Sequence, residues 1–378
     1  MAKPYFKIIL LDDEQQEDIT EKFDNRLISM KIEDKNGFQA DTITIVIDDS
    51  DQKVNLPKTN AKLEITLGWK ADKPKTTIDD EEAKIFEANI KNVFTITQVT
   101  HSGTPDIITL QGTSANLKDG NALKRREDSY IKLTLGQIIA KIAIRNKLTY
   151  RFDKLIGSNF IPHIDQTNES DSSFLTRLID DYGGGVTIKN DMLIVFNKGQ
   201  GITVNGKKIP PAKIKRASGD MHSYTFIKSP YIGVKTRWYD YQKPTKEPHK
   251  IIYKQQIEDS KVHVEGMDEK NANRDEMKDK IKELKYVYAN EESATAAAKS
   301  ELKKIVQGIA QFKLKLALGR PDLFSEMPVE VDGFKPEINS TNWTIASCTH
   351  SLSKGSGFTT ELELQIKPEE ESYENIFK

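Results

Sequence analysis

Residues able to do acid–base or metal chemistry are spread thinly along the chain. The six histidines, His101, His163, His222, His249, His263 and His350, form no HxH or HExxH pattern and no cluster with cysteine, so the spacing that brings two imidazoles to one zinc ion is missing. Carboxylate pairs are plentiful, among them Asp48-Asp49, Asp79-Asp80 and Asp180-Asp181. Glycoside hydrolysis needs two carboxyl groups facing each other across a cleft, and nothing here identifies a facing pair, so these read as solvated surface charge. Gly183-Gly184-Gly185 follows a helical pattern instead of opening one; it ends a helix and has no phosphate-loop context. Lys207, Lys208, Lys213, Lys215 and Arg216 make a basic stretch, but Pro210-Pro211 interrupts it and no aromatics interleave, unlike a groove for single-stranded nucleic acid. Trp238, Tyr239 and Tyr241 are the only dense aromatics, and core or interface packing is their expected use. The expectation is no catalytic residue, no cofactor and no metal.

The elements that hold these residues are mostly strands. Trp343 to Ile366 reads as a hairpin: Phe358, Thr360, Leu362, Leu364 and Ile366 alternate with Thr359, Glu361, Glu363 and Gln365, and a Ser/Lys/Gly turn separates them from a Thr- and Ile-rich strand led by Trp343. A fainter copy lies earlier. Phe94-Thr95-Ile96-Thr97-Gln98-Val99-Thr100-His101-Ser102 matches Trp343 to Ser351 at Thr, Ile, Thr, His and Ser, with an aromatic leading both. Leu63 to Lys70 precedes the first copy and Val329 to Lys335 the second, each an alternating strand ending in Gly-aromatic-Lys. Two copies of one β module are therefore expected, with Phe94, His101, Trp343, His350 and Phe358 as repeat anchors. A structural role is expected for the two equivalent histidines, since a catalytic pair has little reason to sit in both modules.

The chain has 378 residues, too many for one small core, with 37% hydrophobic residues, 30% charged and a formal net charge of -1. Near-neutral charge gives no overall pull towards nucleic acid or an anionic membrane. One cysteine, Cys348, rules out an intramolecular disulfide and fits a reducing compartment; its place on a Thr/Ile strand predicts buried packing. The apolar run after MAKPY is too short for a signal peptide, and no stretch has transmembrane length, so a cytoplasmic location without membrane insertion is expected.

In order, Tyr5 to Gly112 reads as about seven short strands, including one at Ile85 to Ile90. The acidic stretch Asp79 to Glu82 reads as a solvated loop confined to the first module. Thr134-Leu135-Gly136-Gln137 is a capping box opening a helix. A second helix spans about Ser172 to Tyr182, capped by Asp171 or Ser172 and ended by Gly183. Strands resume near Lys213, with Tyr231 to Tyr239 among them. Gly266 to Lys285 is charge-dense and reads as exposed, and an Ala-rich helix follows at about Glu291 to Gln307. The expected fold is mainly β with α+β: two antiparallel β-barrel modules, residues 1–118 and a split 213–240 plus 308–378, an intervening α+β domain at 119–212, and an insertion at 241–307 made of a charged segment and a helix.

One further pattern carries a resemblance. Gln166-Thr167-Asn168-Glu169-Ser170-Asp171-Ser172-Ser173-Phe174-Leu175-Thr176-Arg177-Leu178, followed by Tyr182-Gly183, resembles the Q-x-x-E-S-D-x-x-F-L-x-R-L stretch of the tail hub proteins of contractile-tailed phages, the late control protein D family, whose fold is shared by the hub region of type VI secretion spikes. The closing W-x-I-x-x-x-x-H and G-F-T-T-x-L-x-L, and the opening Asp18-Ile19-Thr20, Ile32-Glu33-Asp34 and Asp41-Thr42-Ile43, are similar to the same family. The resemblance implies a trimeric ring in the virion tail baseplate with two tube-type barrels per subunit, six around a channel. It also implies a tail tube protein on one side, a central spike protein on the other, and tape-measure and baseplate wedge proteins nearby. The word "control" suggests a regulator, but no DNA-reading motif is visible, so no sequence-specific nucleic acid partner is expected. Two rivals from other classes stay open: a tail-tip peptidoglycan hydrolase, which would need a facing carboxylate pair or a metal site, and a carbohydrate-binding receptor protein, which would need exposed aromatics.

Overall fold

The structure, a computed structural model, describes residues 3–367 except 12–15, 36–39, 59, 71–84, 115–122, 228, 241–244, 246, 259–260 and 267–279. The acidic stretch Asp79 to Glu82 and Tyr241 thus lie outside the described residues. Elements β1 (Lys3–Leu11), β2 (Gln16–Asp18), α1 (Thr20–Asp24), β3 (Leu27–Lys35), β4 (Thr42–Asp48), β5 (Lys62–Lys70), β6 (Asn89–Ser102) and β7 (Ile107–Thr113) build the first module, with strand order β3-β4-β7-β6-β5-β1-β2. The alternation predicted for β4 gives it one core face: Ile43, Ile45 and Ile47 are buried against Met30, Ile65 and Phe94. Where a strand was expected from Ile85, residues 85–87 form a helical turn, and β6 starts at Asn89 and runs on as one long strand.

A second core follows in the chain. Elements β8 (Arg125–Thr134), α2 (Leu135–Arg145), β9 (Thr149–Phe152), α3 (Lys154–Gly157), β10 (Phe160–Ser170), α4 (Asp171–Asp181), β11 (Gly184–Lys189) and β12 (Met192–Asn197) enclose Ile138, Ile139, Phe174, Leu178 and Val195. The capping box is made: Thr134 Oγ1 accepts from the Gln137 amide at 3.3 Å while Gln137 Oε1 accepts from the Thr134 amide at 2.8 Å. The cap of α4 is Ser170, whose hydroxyl accepts from the Ser173 amide at 3.2 Å, and not Asp171 or Ser172. Asp171 is instead the first helical residue, which frees its side chain to turn inward. Gly183 ends the helix with φ of 70°.

The remainder comprises β13 (Ala212–Lys215), β14 (Met221–Phe226), β15 (Gly233–Trp238), β16 (His249–Glu258), β17 (Lys261–Gly266), β18 (Ile281–Tyr288), α5 (Glu291–Gln307), β19 (Ala310–Leu316), β20 (Pro328–Asp332), α6 (Pro336–Asn339), β21 (Trp343–Ser353) and β22 (Gly357–Ile366). β15, expected in the second module, pairs with β16 and β18 in a separate four-stranded sheet. Its buried Val234 packs with Ala298 and Leu302 of α5, so its apolar alternation serves the insertion. The charge-dense residues 281–285 are likewise strand, part of β18, where Lys282 pairs with Glu301 of α5 and Glu283 with Lys235 and Arg237.

The two hairpins of the repeat correspond residue by residue. β6 and β21 carry a bulge at the same place, between Ile96 and Gln98 and between Ile345 and Ser347. Leu63 of β5 lies opposite Phe94, and Val329 of β20 opposite Trp343. His101 pairs with Ile108 and His350 with Thr360, which are again equivalent. Ile43 lies opposite Gly112 where Phe312 lies opposite Leu364, so β4 corresponds to β19 and, one strand further out, β3 to β14. The larger Phe312 and Leu364 fill the core of the second module where Gly112 lets Ile43 and Ile96 approach in the first. The match is not strand for strand throughout: β1 runs antiparallel to β5, whereas β13 runs parallel to β20.

The modules do not merely adjoin. β21 pairs antiparallel with β3, Ser347 opposite Lys35 through Ser353 opposite Ser29, which makes one thirteen-stranded sheet of both.

Candidate functional site

The junction of β3 and β21 is where the chain concentrates its buried polar chemistry. Asp34, near the end of β3, is 8% exposed and accepts from the Ser325 amide at 2.9 Å and the Ser325 hydroxyl at 2.8 Å. Lys189, at the end of β11, reaches the same carboxylate at 2.7 Å and Asp41 at 3.6 Å. Burial works against charge on both groups. The Lys189 ammonium and the Ser325 bonds outweigh it for Asp34, whose carboxyl lies below its usual range, and the two carboxylates hold the Lys189 amine above its own. One ion cluster therefore ties the first module, the middle domain and the loop before β20. Its members come from four separate stretches, and sequence spacing gave no signal for it beyond Asp34 and Asp41 in the opening motif.

Beside it sits His350, with Cys348 Sγ 3.1 Å from Nε2. A thiol touching an imidazole is the geometry of a nucleophile and its base, yet both are buried, at 0% and 2% exposed. Burial drives the thiol well above its ordinary range and the imidazole down to about 4, which is the reverse of thiol activation. With the ring neutral, the hydrogen bonds choose its tautomer: the Leu323 carbonyl can only accept, so Nε2 donates to it at 3.2 Å, and Nδ1 accepts from the Thr360 hydroxyl at 3.0 Å. His350 thus fastens the loop before β20 to the closing hairpin. His101, in the equivalent place, is exposed and lies 3.7 Å from Asp49.

The aromatic anchors divide between cores. Phe94 and Trp343 are fully buried in the first and second clusters, and the Trp343 indole donates to the Ile338 carbonyl at 2.9 Å. Phe358, which the sequence places on the apolar side of the second hairpin, packs with Leu352 into the core of the first module. Its ring lies 5.4 Å from that of Trp69, whose indole donates to Gly319 O at 2.9 Å. Gly319 has no room for a side chain, because a Cβ there would meet the Phe358 ring at 2.5 Å.

The Gln166 to Leu178 motif also turns out to be internal architecture. Asp171 is fully buried and accepts from Arg145 Nε at 3.1 Å, Asn146 Nδ2 at 2.8 Å and Gln166 Nε2 at 2.9 Å, while Arg145 also pairs with Asp128. Glu169 pairs with Arg177, which lies over the Phe174 ring. Asp180 and Asp181, the adjacent carboxylates, face the insertion: Asp180 binds Lys198 and Lys304, and Tyr288 donates to Asp181 at 3.5 Å. Trp238 stacks on His249 at 4.5 Å.

Among the described residues no group of three or more His, Cys, Asp or Glu is placed to hold a metal, and no helix is long and apolar enough to cross a membrane. A groove of 540 Å³ beside Tyr150, Phe152 and Lys154 holds no carboxylate or imidazole, and one of 310 Å³ near Phe312 has its Lys313 and Glu363 paired with each other. The geometry is that of a β scaffold whose two modules are paired edge to edge within the chain.

Comparison with known proteins gives the family. The sequence profile described as phage tail baseplate hub (GPD) matches residues 42–356. The chain is 35% identical over 376 residues to the probable baseplate hub protein of Escherichia phage P2, covering 94% of this chain and 92% of that protein, and equally identical to that of Escherichia phage 186 over 377 residues with the same coverage. Its fold is similar to that of a tail protein from Neisseria meningitidis MC58, with a TM-score of 0.63, 13% identity and coverage of 95% and 96% of the two chains. It is also similar in fold to the type VI secretion component c3393 of E. coli, with a TM-score of 0.53, 11% identity and coverage of 91% and 74%. The chain belongs to the phage tail baseplate hub family.

Proposed function

We propose that this hub is a non-enzymatic homotrimer that adapts a sixfold tail tube to a threefold central spike and lines part of the channel between them, with tape-measure and baseplate wedge proteins as further neighbours and assembly in the cytoplasm. The observation that carries this reading is the continuous sheet: two equivalent modules already joined edge to edge within one chain, so that three copies present six equivalent units. Domain limits in this reading fall near 118, 212 and 307, with β15 moved to the insertion. The test is the symmetry of the hub in a reconstructed particle. A threefold ring supports the adapter; a six-subunit ring of this chain, or one subunit per particle, rejects it. Purified hub is expected to leave peptidoglycan intact, and clearing that vanishes when one carboxylate is replaced would favour the hydrolase instead.

A further inference from the structure

Within the chain, the outer edge of β3 is filled by the second half of β21. Both strands have an equivalent in the other module. β14 corresponds to β3, since Met30 and Ile32 lie opposite Ile45 and Ile43 as His222 and Tyr224 lie opposite Leu314 and Phe312. Residues 98–102 of β6 correspond to 347–351 of β21. Among the described residues these two equivalents are open: β14 pairs with β19 alone, and past Ile96 the far side of β6 meets no strand.

Their surfaces are those of unfinished edges. Met221 and Phe226 at the two ends of β14, and Ile227 just past it, are 60%, 64% and 48% exposed. Natural edge strands guard themselves with charge, as β2 does at the end of the sheet with Glu17 and Asp18. β14 reads MHSYTF and β6 ends QVTHS, without one lysine, arginine or carboxylate. Where β3 covers β21, His350 and Cys348 are buried; in the uncovered copy His101 is exposed and Val99 only partly buried. The difference is what a missing strand leaves behind.

We propose that β14 of one copy pairs antiparallel with residues 98–102 of β6 in the next copy, repeating between chains the junction that β3 and β21 make within the chain. Carrying the internal register across puts Phe226 opposite Val99 and Tyr224 opposite His101 on the inner face, with Thr225 opposite Thr100 and Ser223 opposite Ser102 on the outer. The two edges lie on different modules, so the contact is head to tail and continues until the ring closes. Closure at three copies rests on the proposed threefold adapter; the strand pair and its register do not.

The experiment is disulfide trapping in tail particles assembled with full-length hub. The exposed positions allow Thr225→Cys with Thr100→Cys, and separately Tyr224→Cys with His101→Cys, against the off-register pair Thr225→Cys with Ser102→Cys; the buried Cys348 stays as it is. Adjacent opposed pairs alternate in spacing, so testing both registers' faces covers the one that suits a disulfide. Most of the hub is expected to run as a covalent trimer on a non-reducing gel for at least one in-register pair, and as monomer for the off-register pair. Phe226→Asp is expected to melt with the unmodified protein yet be lost from particles. A threefold hub that cross-links at neither in-register pair, or best off register, overturns this pairing and leaves the ring. A hub without threefold symmetry that still links Thr225→Cys to Thr100→Cys overturns the adapter and leaves the pairing. A covalent product with another tail protein assigns the edge to that partner and overturns the proposal.

Discussion

At the scale of single residues, His350 shows how much a position's neighbours decide. Its pKa is depressed by burial to about 4 against an ordinary 6.5, so the unfolded chain binds the proton more readily than the folded one. The sign follows: stability is whole above pH 6.5 and falls as pH drops towards 4, by about 1.4 kcal/mol per unit at most and on the order of 3 kcal/mol in all. Asp181 works the other way, because burial raises it to about 6 and its ionisation costs stability as pH rises from 3.8. Urea unfolding of Asp181→Asn should therefore show the histidine slope more steeply, and adding His350→Gln should flatten it; an unchanged slope would place the titration elsewhere. Trp343→Ala is expected to lose roughly 3 to 5 kcal/mol, as large aromatic truncations in cores do, and a melting temperature equal to that of surface variants would contradict its place in the core. The equivalence of His101 and His350 was legible from the repeat, because register travels with sequence. Their opposite burial was not, since it depends on which strand lies alongside, and that partner is three hundred residues away.

At the scale of elements, local signals wrote the helices plainly. The Thr134 to Gln137 box, the apolar face of α4 and the Gly183 stop all reappear, because each needs only a few adjacent residues. Strand partnership is a longer-range matter: the alternation of β15 announces a strand with one buried face but cannot say that the face meets α5 instead of the core of the second module. The same limit hid the Lys189 cluster, whose carboxylates lie on β3 and just before β4. Lys189→Met leaves Asp34 and Asp41 buried without their cation, and breaking such a cluster from one side typically costs about 3 to 5 kcal/mol. Because the Ser325 bonds to Asp34 also hold the loop before β20, hydrogen exchange should quicken in residues 317–327 as well as in β11. Exchange faster in β11 alone would show that the cluster does not couple the three parts.

At the scale of the whole molecule, the two modules share both a sheet and a core: β3 pairs with β21, and Leu352 and Phe358 of the second hairpin complete the first cluster. They are expected to unfold as one cooperative unit. The insertion is different, for among the described residues its cluster joins buried Val234, Ala298 and Leu302 to the partly buried Ile251, Leu284 and Ile305, fewer than in either module's cluster, and small cores open first. The three tryptophans fall one to each part, Trp69 in the first module, Trp343 in the second and Trp238 in the insertion. Variants keeping a single tryptophan, the others replaced by phenylalanine, can therefore report each part separately by fluorescence during thermal unfolding. Trp69 and Trp343 should give coincident midpoints and Trp238 a lower one. If Trp69 and Trp343 melt apart by more than the shift that the replacements themselves cause, the sheet across the junction is not a continuous load path, and the two modules are separate domains that happen to touch.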